Sequence, residues 1–347
     1  MTRRVLFRVD SNSQIASGHV MRCLSIANQF RNIGCEVCFI TADNLSDRML
    51  SGYEHINLQS EWRNLDVELP RMKLFLIKCV EKPILIIDTY AITSEYVDAL
   101  SAYATIVYLG SKRGYLGNLD FLINYSVKIE HDYYVSLYGD RVKLLLGLDY
   151  TPLREEFQNI QGHTKDNIER VLITTGNTDT FGYVPKILSA LLDDNYARDF
   201  DYDIVIGSFF NDIDELVLLA KYHNNVHLYR NVSYMSDLMK DADLAITAAG
   251  TTVLELAAAK VPQIAFAMVE EQIRSAREFE ESGMIDYAGE IFVDSVASIQ
   301  RICNSVRKYS LSIEERQALI NRASMRVDGK GCERIVAALM GYQYDDK

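Results

Sequence analysis

The chain of 347 residues carries a formal net charge of −12 and a pI near 5.1, with 48% apolar side chains. That length and apolar share suit a packed globular protein of two ordinary domains and exclude a single small module. The acidic balance argues against a surface that holds nucleic acid by counterion release, but not against a phosphorylated small molecule, which amides and helix N-termini can bind without a basic surface.

The opening MTRRVLFRVD moves straight into a strand pattern without the apolar region of a secretory signal, and no stretch approaches the roughly 18 apolar residues of a membrane span. A soluble cytoplasmic protein is expected. Short apolar runs predict strands over 4–10, 35–42, 55–59, 83–88 and 105–109, with helices over 19–33, 66–81 and 93–103 between them. Strands that are nearly continuous runs of β-branched residues, alternating with helices, predict a parallel sheet covered on both faces. Residues 148–169 turn polar and irregular, as a domain boundary does. A second series follows, with strands over 171–175, 203–207, 226–230, 244–248 and 263–268. Its helices fall over 183–194, 212–223, 234–241, 251–260 and 271–282, and two more helical patterns cover 295–308 and 312–341. The predicted fold class is α/β: two doubly wound, Rossmann-like domains, 1–150 and 151–347, facing a central cleft, with the last helix free to pack back on the first domain. Ligands of such sheets bind outside the carboxyl ends of the strands, where strand order reverses.

Candidate chemistry sits at those ends. His19 follows strand one through a polar turn in DSNSQIASGHVMRCLSIANQF, with Ser17 placed to cap the helix and Gly18 to admit a ligand. The positive end of the helix dipole favours a neutral imidazole, suited to act as a base near neutral pH, although an isolated histidine at a helix start also serves as a cap or packs. Asp10 ends strand one and Asp88 ends strand four; in the strand order 3-2-1-4-5 these are neighbours, so two carboxylates are expected to converge on the ring. Either aspartate alone could cap a turn. In the second domain, Gly250, Thr251 and Thr252 lie between a strand and a helix and present amides and hydroxyls as a phosphate cradle. Glu255, one turn along, is placed to accept from a ribose diol, or is simply a solvated glutamate on a capped helix. Gly176, Asn177, Thr178 and Asp179 form another strand-end loop, and Glu271 and Gln272 a third. The six cysteines are scattered, and the one C-x-x-C, Cys35 and Cys38, runs into a strand, so core packing is expected and no metal.

In the order FRVDSNSQIASGHVMRCLSIA, LIIDTYAIT, FLINYS, LLGLDYTPLREEF, ITTGNTD, MSDLMKDADLAITAAGTTVLEL and the EEQ turn, the chain resembles the PseG family. These are UDP-sugar hydrolases of pseudaminic acid biosynthesis, with SpsG-type spore-coat relatives and kinship to MurG. The resemblance implies a GT-B fold, UDP held mainly by the second domain, and metal-independent attack of water at the anomeric carbon of a UDP-linked deoxy-acetamido sugar. It implies no cofactor and a small-molecule UDP-sugar as the partner, with the oligomeric state left open. On that pattern His19 activates water, while Asp10, Asp88 and Tyr90 shape the site. Gly250, Thr251 and Thr252 hold the diphosphate, Glu255 the ribose, and backbone near Met235 the uracil. Gly18, Arg22, Gly176, Asn177, Thr178, Asp179, Glu271 and Gln272 complete the expected substrate contacts. The chain departs from the pattern at Ala16-Ser17-Gly18-His19 for G-x-G-H, Gly176-Asn177 for G-G, Glu271-Gln272 for N-Q, and Gly110-Ser111 for paired aspartates. A GT-B glycosyltransferase or a catalytically silent nucleotide-sugar binder would show much the same pattern. A ring turned inward and buried, or Gly-Thr-Thr amides already occupied by the protein's own atoms, would end the hydrolase reading.

Overall fold

All ten apolar runs become strands of parallel sheets. The computed structural model describes residues 3–12, 17–162, 164–342 and 344, so Ala16 of the glycine turn lies outside the described residues. The chain divides into two units, the first made of Met1–Arg154 with Lys330–Lys347, the second of Glu155–Gly329.

Unit 1 holds β1 (Arg4–Val9), β2 (Glu36–Thr41), β3 (Glu54–Asn57), β4 (Ile84–Asp88), β5 (Thr105–Leu109), β6 (Phe121–Asn124) and β7 (Lys143–Leu146). They pair in parallel in the order β3-β2-β1-β4-β5-β6-β7, so strand order reverses between β1 and β4. Its helices include α1 (Gly18–Asn32), α2 (Leu69–Ile77), α3 (Ser94–Ser101) and α4 (His131–Tyr138). Because side chains alternate along a strand, each strand feeds two cores. Val5, Phe7 and Val9 of β1 and Ile84 and Ile86 of β4 pack under Val20, Cys23, Ile26 and Phe30 of α1. Leu6, Leu85 and Ile87 face the other way, onto Met72 and Leu76 of α2 and Tyr96, Val97 and Leu100 of α3.

Unit 2 holds β8 (Arg170–Thr174), β9 (Asp201–Ile206), β10 (Val226–Arg230), β11 (Leu244–Ala248), β12 (Gln263–Ala267) and β13 (Asp286–Glu290), in the order β10-β9-β8-β11-β12-β13, all parallel. Here the reversal falls between β8 and β11. Its helices include α5 (Tyr183–Asp193), α6 (Asp214–Tyr222), α7 (Met235–Asp241), α8 (Thr252–Ala258), α9 (Ile273–Glu281), α10 (Ser295–Leu311) and α11 (Ile313–Ser324). The pattern expected as one helix over 312–341 is two. It breaks after Ser324, in the Met325–Lys330 link, and the last helix, α12 (Gly331–Met340), belongs to unit 1, where Ile335, Val336 and Leu339 join the core under α1. Among the described residues no helix is long and apolar enough to cross a membrane.

Candidate functional site

The end of β4 fixes the first group. Asp88 continues the alternation of Ile84 and Ile86, so its carboxylate points to the α1 side, where it is 1% exposed. The first turn of α1 delivers His19 to it, Nδ1 lying 2.5 Å from Asp88 Oδ1. A carboxylate only accepts, so Nδ1 carries a proton, and in the neutral ring the lone pair is then on Nε2. Among the described residues no hydrogen bond reaches Nε2. Tyr90 sets its ring edge-on to the imidazole at 4.8 Å between centroids and is itself 60% exposed, its carbonyl held by Lys112 Nζ at 3.1 Å. The ring, however, is not open: His19 is 5% exposed, with one nitrogen turned inward. This is in part the buried, inward-turned ring named above as telling against the hydrolase reading: Nδ1 is turned in onto Asp88, while Nε2 is not. Ser17 stands before α1 but its side chain makes no capping bond, while Gly18 is exposed with open space around its Cα.

Asp10 does not join this group. It shares the parity of Leu6 and Arg8, so the pleat sends it to the opposite face of the sheet from Asp88. There Arg8 Nη1 donates to Asp10 Oδ2 at 2.5 Å and the Ala42 amide to Oδ1 at 2.7 Å. Arg8, fully buried, also forks Glu68, with Nε to Oε1 at 2.6 Å and Nη2 to Oε2 at 2.9 Å, and Tyr96 and Ser60 complete the shell around Glu68. Asp10 therefore ties the end of β1 to the end of β2.

Arg22 is placed differently from a substrate contact. Three residues after His19, it lies on the same face of α1. Its Nε donates to Asp88 Oδ2 at 2.5 Å, its Nη2 to Oδ1, and its Nη1 to Tyr125 Oη at 2.9 Å. Cys23 Sγ lies 3.4 Å from Asp88 Oδ2. Burial pushes the Asp88 carboxyl up, but Arg22 and the His19 bond outweigh it and hold the group below the usual carboxylate range. Tyr125, at the end of β6 in FLINYS, was missed by the sequence reading of the site.

In unit 2 the loops after β8 and β11 flank the reversal of strand order. Asp179 is 3% exposed, its carboxylate accepting from the Tyr183 and Val184 amides at 2.8 and 2.9 Å. It closes the N-terminus of α5, which corrects its expected substrate contact to a structural one. Gly176 and Thr178 shape the same loop, with Thr175 Oγ1 on the Thr178 carbonyl, while the exposed Asn177 gives its carbonyl to the Phe209 amide at 2.9 Å. After β11, the Gly250 amide bonds to the Ala248 carbonyl at 2.8 Å, so one of the three expected cradle amides is occupied. The Thr251 and Thr252 amides have no backbone acceptor among the described residues. Gln272 accepts from the Met268 amide at 2.8 Å and brings its Nε2 beside Gly250. Glu255 lies half-buried in the first turn of α8, Glu271 is exposed, and Met235 opens α7. At Gly110 a Cβ would stand 2.5 Å from Tyr108 Oη, so an aspartate there would require the Tyr108 ring to shift. The six cysteines are free thiols, with Cys38 in the core beneath β2, and among the described residues no three His, Cys, Asp or Glu side chains cluster as metal ligands.

Residues 171–330 match the family model of the glycosyltransferase family 28 C-terminal domain. An uncharacterized protein, MJ1062 of Methanocaldococcus jannaschii, is 26% identical over 278 residues, 75% of this chain and 55% of that protein, so the chain spans about half the length of this relative. The UDP-2,4-diacetamido-2,4,6-trideoxy-beta-L-altropyranose hydrolase of Campylobacter jejuni is 24% identical over 253 residues, 73% of this chain and 87% of that one. The spore coat polysaccharide biosynthesis protein SpsG of Bacillus subtilis is 26% identical over 216 residues, 58% and 62% of the two chains. Among solved structures, MurG of Acinetobacter baumannii superposes with a TM-score of 0.66 at 12% identity, covering 98% of this chain and 99% of that one. At that identity the likeness speaks for architecture: the chain has the α/β GT-B fold.

Proposed function

We propose that the chain is an enzyme acting on UDP-sugars that cleaves the bond between the anomeric carbon and the diphosphate of a UDP-linked deoxy-acetamido sugar, with water as acceptor. The hydrogen bond from His19 to Asp88 carries this reading. It orients the imidazole, fixes its tautomer and leaves Nε2 to take a proton from water as the new C–O bond forms and UDP departs with the electron pair of the old one. Tyr90, exposed beside the ring, shapes the sugar side. Unit 2 takes the nucleotide: the Thr251 and Thr252 amides and hydroxyls bind the diphosphate, Glu255 the ribose and backbone near Met235 the uracil. Relatives in nucleotide-sugar and surface polysaccharide chemistry support the substrate class.

A phosphorus NMR time course with a panel of UDP-sugars tests it, comparing the parent with His19→Ala. The parent is expected to release UDP, and the variant to lose about 10²- to 10⁴-fold in rate, the contribution of a positioned base. No release by the parent ends the hydrolase reading, and equal release by both ends the role of His19. The match of residues 171–330 to a glycosyltransferase domain favours a second reading, transfer to an acceptor hydroxyl. Its signature is little UDP until an alcohol acceptor is added.

A further inference from the structure

We infer that Arg22 and Tyr125 are a positioning pair that holds Asp88, and through it His19, in the geometry of the base; this rests on the role proposed above for His19. Asp88 has no exposed side-chain surface, so water cannot supply its hydrogen bonds, and every donor must come from the protein. Arg22 covers both carboxylate oxygens with one rigid plane, Nε on Oδ2 at 2.5 Å and Nη2 on Oδ1. A carboxylate forked this way cannot rotate, and Oδ1 is left aimed at His19 Nδ1. The guanidinium in turn is fixed by Tyr125 Oη at 2.9 Å, delivered by the end of β6, so three segments meet on one carboxylate.

The pair also sets the charge the ring meets. Arg22 Nη2 lies 3.1 Å from His19 Nδ1. A positive charge at that distance opposes a second one on the imidazole and spends part of the Asp88 charge that would otherwise favour imidazolium. The other ionisable groups facing the pair are Cys23 from α1 and Tyr90 after β4, with Tyr108 of β5 within electrostatic reach from the other face of the sheet.

The test is an NMR titration of ¹³C-histidine-labelled full-length protein, with the His19 signal assigned by its loss in His19→Gln, for the parent, Arg22→Met, Arg22→Lys and Tyr125→Phe. The His19 midpoint is expected to rise above the parent's in Arg22→Met, where the charge 3.1 Å from Nδ1 is gone, and to return toward it in Arg22→Lys, where a charge survives. A midpoint unchanged in folded Arg22→Met overturns the inference, as does Arg22→Lys behaving like Arg22→Met. If Arg22→Met does not fold, Tyr125→Phe decides: a midpoint moved from the parent's supports the pair and an unchanged midpoint overturns it. The titration needs no substrate, so a parent that releases no UDP removes the hydrolase reading while this result still stands or falls separately.

Discussion

Asp88→Asn isolates the energetics of the buried cluster. The carboxylate accepts from His19 Nδ1 and from two nitrogens of Arg22, and its side chain has no exposed surface, while that of Arg22 is 19% exposed. An amide keeps one acceptor oxygen but sets an NH₂ donor against an Arg22 donor and removes the counter-charge. Breaking one partner of a buried pair costs about 3–5 kcal/mol, and the retained carbonyl puts this case near the lower end. The one tryptophan, Trp62, lies in unit 1, so its fluorescence follows the unfolding of that unit in urea. With a slope of about 2 kcal/mol per molar for a unit of this size, the midpoint should fall by about 1.5 M. The sign of the pH dependence follows from the lowered Asp88 pKa. The stabilisation is fully present above the unfolded carboxyl value and is lost as pH falls through the lower folded one. The gap between parent and variant should thus be full at pH 7 and close as pH drops below about 4. A gap under about 1 kcal/mol at pH 7, or one that persists undiminished into acid, would refute a salt-linked Asp88.

Asp179→Ala leaves the Tyr183 and Val184 amides without acceptors, and hydrogen exchange at those two sites should show α5 opening at a cost lower by about 1–3 kcal/mol; unchanged protection would deny the cap. Gly207→Ala places a Cβ 2.4 Å from the Asn177 carbonyl carbon and the Gly176 oxygen, so the 175–179 loop must shift and thermal stability should drop by about 1–3 kcal/mol, with amide shifts confined to that loop. Glu271→Asn removes an exposed negative charge from the turn beside Gly250, and calorimetry should find UDP bound about 3- to 10-fold tighter at low salt, the gain shrinking as salt rises. An unchanged affinity would move the diphosphate away from this turn.

The architecture was legible because buried parallel strands are nearly continuous apolar runs, and ten of them stood out. The sequence reading missed β6 and β7, and also β13, DYAGE, which is polar and carries a glycine. The candidate site was half legible. Chain order put Asp10 and Asp88 on adjacent strands, but adjacency is not side: only the parity of Arg8 with Asp10 and of Ile86 with Asp88 separates the two carboxylates to opposite faces. Arg22 had a readable signal, its three-residue spacing from His19, and the position of Tyr125 did not, since nothing local in FLINYS says which helix its ring will meet. The inward turn of the His19 ring, likewise, depends on the depth of Asp88 beneath α1.

The placement of α12 bears on how the polypeptide can be made and cut. The wall that Ile335, Val336 and Leu339 add to the core under α1 is encoded after the whole of Glu155–Gly329. During synthesis the first 154 residues emerge with that wall missing, whereas the second unit is contiguous and has all its parts before the ribosome reaches Gly331. A fragment stopped at Gly329 should consequently spare the later-starting half and leave the earlier one with an uncovered apolar flank, prone to self-association. Removing the segment from 330 onward is, in this molecule, an injury to unit 1.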